Sequence, residues 1–362
     1  MANFYLLFDG WLDPLAWTLV HFLWQGAIVA ALLAMVLRTT PKAASAKRYL
    51  AGCIGLLAMV ACPIATFGLG LARQASWPER RQSLASVSEQ SHTATASLSP
   101  VSFFPHGDSD RERDGAEFAI SDAPSIEQVP NLTSNSKFTF LLAWLVCAWA
   151  LGVCVLSLRL CASWIWVQRM KSLGTSPIPE QWSRLFAALA KQLKLGRPVR
   201  ILQSALVEVP TLIGWLRPTI LLPLGFLTGM TPRQVEAILA HEFAHILRHD
   251  YLINLLQTLV ETVLFYHPAV WWMSRFIRFE RENCCDDIAA LACGEPVEYA
   301  RALTALEGFR ATHRHLVVAA NHGSLLQRIR RLAGLPDSHV DRPTLWAIPI
   351  LLLLLAPFAL PW

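Results

Sequence analysis

The 362-residue chain carries 31 Lys and Arg against 26 Asp and Glu, a formal net charge of +5, and is 54% hydrophobic but only 16% charged. Soluble domains are about 25% charged, and the mean hydropathy is +0.39, which excludes a wholly soluble protein and indicates a membrane protein. The positive balance lies largely beside apolar segments, which argues against direct nucleic-acid binding.

Four runs, at about 15–37, 49–72, 138–158 and 344–360, supply the roughly 20 helical residues that cross a hydrocarbon core about 30 Å thick. Residues 1–72 are predicted to form two such spans joined by a short link holding Arg38, Lys42, Lys47 and Arg48 and no acid, whereas Asp9 and Asp13 precede the first span. Basic residues in short loops stay in the cytoplasm, so the link is expected there and the N-terminus outside. A cleavable leader lacks its basic n-region. Residues 73–137 turn Ser-rich and charged without apolar period and are expected to form a disordered extracytoplasmic loop. They contain none of the eight cysteines, so no disulfide framework is indicated. Cys147, Cys154 and Cys161 recur every seven residues in and after the third span, 138–158, as a packing stripe. Arg159, Arg169 and Lys171 then place 159–342 in the cytoplasm, and the fourth span, within 343–362, returns the chain outward.

Within 159–342, Trp182, Leu185, Phe186, Leu189 and Leu193 keep helical spacing, with Gly196 as the expected stop. Apolar runs at 199–202 and 218–222 read as strands of a small sheet. Thr231-Pro232-Arg233-Gln234 reads as a capped helix start. That helix leads into HEFAHILRHD at 241–250.

Residues four apart share a helix face, so His241 and His245 can direct two imidazoles at one cation. Glu242 is turned about 100° away, where its carboxylate can act on a water that the metal activates. A third ligand is needed. His249 continues the stripe, but eight residues of straight helix would put it about 12 Å from His241, too far for bonds of about 2.0–2.1 Å. Glu261 lies in an apolar helix and suits a buried hydrogen-bonding role equally well. Glu282 is the better candidate, on a helix starting at Pro268, with Asp286 one turn later to hold a ligand histidine's free N–H. Cys284 and Cys285 could instead close a structural site with the histidines, which would leave Glu242 idle, so both are read as buried packing residues. His313 and His315 read as solvent-exposed.

The chain resembles the BlaR/MecR-type membrane metallopeptidases, relatives of beta-lactam sensor-transducers. The likeness rests on HFLWQG at 21–26, VPTLIGWLRPTILLP at 209–223, HEFAHILRHD, FYHPAVWWMSRFIRFERENCCDD, EYARAL at 298–303 and LQRIRRLAG near 326–334. It implies His241, His245 and Glu282 as ligands of one Zn2+, Glu242 as the catalytic glutamate and Asp286 as a supporting acid. It also implies a gluzincin-like α+β domain between the third and fourth spans, with a sheet edge, taken as 218–222, that binds the scissile segment extended. The expected setting is the bacterial inner membrane, with the site facing the cytoplasm and a protein substrate such as a winged-helix repressor, cut in a signalling pathway. No penicillin-binding sensor domain, with its SxxK and KTG patterns, follows the last span in this sequence, so beta-lactam sensing by this polypeptide is not expected. Two other readings stay open: a quality-control protease resembling HtpX, and a non-proteolytic signalling scaffold with structural zinc. The apolar run 251–266 contains Asn254, Gln257 and Glu261 and is read as a buried or membrane-apposed helix, not a span.

Overall fold

A computed structural model describes residues 11–96, 136–214, 216–313 and 322–335. The chain divides into two compact units, Met1–Leu19 with Ile64–Ala148, and Val20–Pro63 with Trp149–Trp362. Three long helices, α1 (Leu12–Thr39), α2 (Ser45–Ala96) and α3 (Ser136–Met170), contain stretches long and apolar enough to cross a membrane. The expected fourth span, 344–360, lies outside the described residues. So does most of the expected loop, but its start is helical, because α2 runs on to Ala96. The segment 73–96 holds no glycine, and its Ala, Gln, Glu and Arg residues favour helix without any apolar period, although Pro78 within it removes a backbone donor.

In the first unit, Trp11 meets Phe67 with ring centroids 6.0 Å apart, and Gly70 lets α2 pass close to Pro14. The second unit holds a four-stranded sheet and seven further described helices. The strands β1 (Thr175–Pro177), β2 (Arg200–Ser204), β3 (Thr211–Ile213) and β4 (Thr219–Pro223) lie in the order β1-β2-β4-β3, with β2 and β4 parallel and both outer pairs antiparallel. The run 218–222, expected at an edge, is therefore central. All five residues of β4 are buried, as a continuous apolar run on an inner strand requires. The edges are β1 and β3.

Helix α4 (Glu180–Gln192) buries Phe186 and Leu189. It is stopped by Lys194 at φ +54°, not by Gly196, and the Leu195 N–H closes the turn on the Ala190 carbonyl. After the single-turn α5 (Phe226–Gly229), helix α6 (Pro232–Leu247) starts with the expected capping box: the Thr231 side chain accepts from the Gln234 N–H, and the Gln234 side chain accepts from the Thr231 N–H. Val235, Ile238, Leu239 and Phe243 of α6 enter one core with Phe186, Ile220, Leu222 and Tyr299. Helices α7 (Asp250–Val263) and α8 (Pro268–Cys293) form a hairpin, followed by α9 (Pro296–His313) and α10 (His322–Leu332). His313 is the last residue of α9, and His315 lies outside the described residues.

Candidate metal centre

Burial of the apolar face of α6 in the domain core leaves His241 and His245 on a second face, turned toward α8. Their Nε2 atoms are 3.2 Å apart. From α8, the Glu282 carboxylate approaches to 3.4 Å from His241 Nε2 and 3.9 Å from His245 Nε2. The structure thus brings together the three residues read as ligands. Glu242, next to His241, is half-buried, and burial pushes its carboxyl pKa up, against the opposing pull of the two imidazoles.

The outward nitrogens of the two imidazoles are both engaged. His245 Nδ1 donates to Asp250 Oδ2 at 2.8 Å, and the buried Cys285 thiol reaches the same oxygen at 3.3 Å. His241 Nδ1 lies 3.1 Å from Asp286 Oδ1 and 2.9 Å from the Tyr299 hydroxyl, which donates to Asp286 at 2.7 Å. Arg328 of α10 grips Asp286 through two bonds, at 2.7 and 2.5 Å. Asp286 is fully buried, and such a charge is tolerated only when paired and hydrogen-bonded. Burial alone would raise its pKa, but Arg328 and His241 hold it well below the usual carboxylate range.

A zinc ion fits this donor set. With each Nδ1 proton directed to an acid, each Nε2 presents a lone pair, and two lone pairs so close need a cation or proton between them. Tetrahedral zinc with bonds of about 2.0–2.1 Å separates its ligand atoms by about 3.3 Å. The 3.2 Å between the two Nε2 atoms and the 3.4 Å from His241 Nε2 to Glu282 Oε2 match that spacing, while His245 Nε2 lies 3.9 Å from the other carboxylate oxygen, Oε1, which is wider than it. Electrostatics agree. Burial pushes the His241 pKa down, yet hydrogen bonds to Asp286 and Glu282 outweigh it and leave the group at about 9, so the surroundings favour positive charge. Glu282 is held down to about 2, with burial opposed by the His241 hydrogen bond and by nearby positive charge.

Other candidates fall away. α6 ends at Leu247, and His249 sits at φ +57° between helices, its Nε2 2.9 Å from Arg197 Nη2 at the surface. His249 is thus remote from the cluster because the helix breaks, not because a straight helix carries it away. Glu261 pairs with Arg278 at 2.6 Å and accepts from Ser274. Cys284 is buried as expected, but Cys285 does more than fill space, since it touches the support of His245. His245, Asp250 and Cys285 also cluster closely enough to hold an ion. In that group Asp250 Oδ2 takes both the imidazole and the thiol while Asp250 Oδ1 faces Arg248 Nε at 3.5 Å without a hydrogen bond, and burial and Asp250 push the Cys285 thiol well above its usual pKa.

Sequence reasoning missed Asp250, Tyr299 and Arg328. A signal existed for two of them, since Tyr299 belongs to EYARAL and Arg328 to LQRIRRLAG, and in the structure both side chains converge on Asp286. For Asp250 the signal was an acid placed just after the motif.

Comparison with known proteins identifies relatives of this chain. The chain is 24% identical over 209 residues to the regulatory protein BlaR1 of Bacillus licheniformis, covering 57% of this chain and 33% of the relative. It is 23% identical over 208 residues to the methicillin resistance mecR1 protein of Staphylococcus aureus (strain Mu50 / ATCC 700699), covering 57% and 34% respectively. The chain thus spans about a third of the length of these curated relatives. Residues 91–333 match the family model described as BlaR1 peptidase M56. The chain belongs to the M56 peptidase family, a group of membrane metallopeptidases with which its apolar helices accord.

Proposed function

We propose that the protein is a zinc endopeptidase of gluzincin type that cuts a protein substrate at the cytoplasmic face of a bacterial inner membrane. The observation that carries this is the convergence of His241 Nε2, His245 Nε2 and the Glu282 carboxylate within 3.2–3.9 Å of one another, with Glu242 beside them. His241, His245 and Glu282 would hold the zinc. When bound, zinc polarises the scissile carbonyl and brings the pKa of water toward about 7.

Glu242 takes a proton from the attacking water and passes it to the leaving amine nitrogen. Its raised pKa suits a base that must give the proton back near neutrality. Asp250 holds the His245 ring through Nδ1, and Asp286, with Tyr299 and Arg328, holds that of His241. An extended substrate segment would add to a sheet edge, β1 or β3, in place of the central 218–222. A peptidase domain at 159–342 with a fourth span near 344–360 completes this reading, and the basic residues of the link at 38–48 support the cytoplasmic orientation. The BlaR1 and mecR1 relatives favour a signalling substrate such as a repressor over quality control.

Glu242→Gln tests the reading. The variant should bind zinc as the parent does, by metal analysis of the purified protein, while peptide cleavage falls about 10²–10⁴-fold. Comparing cytoplasmic protein fragments between cells carrying the parent and the variant identifies the substrate. If signalling output persists unchanged in the variant with its zinc retained, the scaffold reading replaces this one.

A further inference from the structure

Two of the sequence blocks, HFLWQG and FYHPAVWW, contribute nothing to the metal centre, yet the structure brings them together. His267, in the turn between α7 and α8, donates through Nε2 to the Leu23 carbonyl of α1 at 2.9 Å and accepts the Ala269 N–H at Nδ1. It lies so close to Gly26 that a Cβ there would come within 2.8 Å of the imidazole. Leu23 and Gly26 are at the middle of the uncharged run between Asp13 and Arg38. On α3, a Cβ at Gly152 would meet Phe265 at 2.3 Å, and the Trp149 indole donates to the Val263 carbonyl at 2.8 Å. Trp149 is at the middle of the uncharged run between Lys137 and Arg159. Glycines that admit close approach are how helices pack in a bilayer. The turn of the hairpin therefore meets two candidate spans at their midpoints.

From that turn, α8 descends along α2. Met273 packs against Gly55 and Ile277 against Gly52, Glu280 pairs with Arg48 at 2.6 Å, and Asp287 accepts from Ser45 at 2.9 Å. Val260 of α7 and Leu264, which caps its end, share a core with Phe22, Leu56 and Met59 of α1 and α2. The outer face of α7 is a bare apolar stripe, with Leu252, Leu255, Leu259 and Val263 between 38% and 49% exposed. Most polar side chains of the hairpin pair with one another instead, although Asn254, which accepts from Arg281, is exposed. Gln257 donates to the Ser274 carbonyl and hydroxyl, both at 2.9 Å, while Ser274 and Arg278 donate to Glu261. Pairing of this kind, the Gln257 Oε1 atom excepted, is what hydrocarbon surroundings demand.

We infer that the α7–α8 hairpin is re-entrant: it enters the bilayer from the side of the metal centre, turns back at the midplane, and sets the outer face of α7 against lipid acyl chains. The continuity of its packing with the spans singles out lipid as the occupant of that stripe. Arg275, exposed about 10 Å down α8 from Pro268, has a stem long enough to carry its charge to the headgroups. The dimensions also set the depth of the site. The 14 residues of α7 cover about 21 Å, whereas half a hydrocarbon core is about 15 Å. Asp250 and the imidazole it holds then lie at headgroup level. This inference concerns the chain as a membrane protein and does not depend on the hydrolytic reading.

The test uses the full chain in vesicles of phosphatidylethanolamine and phosphatidylglycerol, with a trace of phosphatidylcholine carrying a diazirine at the end of an acyl chain. After photolysis and digestion, mass spectrometry should find lipid adducts on 252–263 as on 141–158 of α3, and none on α4. In a second measurement, Leu259→Cys should resist a membrane-impermeant maleimide that modifies Arg184→Cys, and should react once the vesicles are dissolved in denaturant. Adducts on α3 with a bare α7, or modification of Leu259→Cys as fast as of Arg184→Cys, overturns the inference, whether or not the protein cleaves peptides.

Discussion

His241 and His245 stand one helical turn apart, yet they are steadied in opposite ways. His245 leans on Asp250, five residues further along, and needs only the break between α6 and α7 to find it. His241 leans on Asp286 of α8, which is held in turn by Tyr299 of α9 and Arg328 of α10. One support is local and the other requires four helices to be assembled. Loss of the first should loosen metal without loosening the fold, and loss of the second should do both.

The largest expected effect is that of Asp286→Asn. It strands the buried Arg328 guanidinium, at a cost of about 3–5 kcal/mol, and removes the anion behind His241, so both the unfolding midpoint and the zinc affinity should fall. Asp250→Asn should come next, with zinc affinity reduced about 10–100-fold in competition with a chelator and a much smaller change in the unfolding midpoint. Equal destabilisation by the two changes would break the comparison. Tyr299→Phe should cost about 0.5–1.5 kcal/mol, because Arg328 still holds Asp286 by two bonds. His249→Ala should be the mildest, within about 0.5 kcal/mol and with zinc content unchanged, since its exposed ring contacts Arg197 and not the cluster. Metal loss on His249→Ala would return that residue to the site.

The same contrast explains what can be read from the sequence. The HExxH pair and the acid four residues after Glu282 are regular helix spacings, so His241, Glu242, His245, Glu282 and Asp286 are legible as one group. Asp250 is not, because its position depends on His249 adopting a left-handed backbone, which a non-glycine residue seldom does and no spacing announces. Tyr299 and Arg328 are visible as members of familiar blocks, but which atoms they touch follows only from the packing of α8, α9 and α10. In the sheet, β2 and β4 are legible as apolar runs. The three-residue β1 and β3 are too short to stand out, and without them β4 passes for an edge.

The contacts along α8 carry one more consequence. Arg48 and Ser45, at the base of α2, fasten α8 at Glu280 and Asp287, on either side of Glu282, and Arg331 adds a further bond to Asp287. The two histidines, by contrast, ride on α6, which is anchored in the sheet core. One donor of the cluster is thus moored to a candidate membrane span and two to the sheet core. The spacing of the three donors therefore depends on two separate sets of contacts, one along α2 and one in the sheet core.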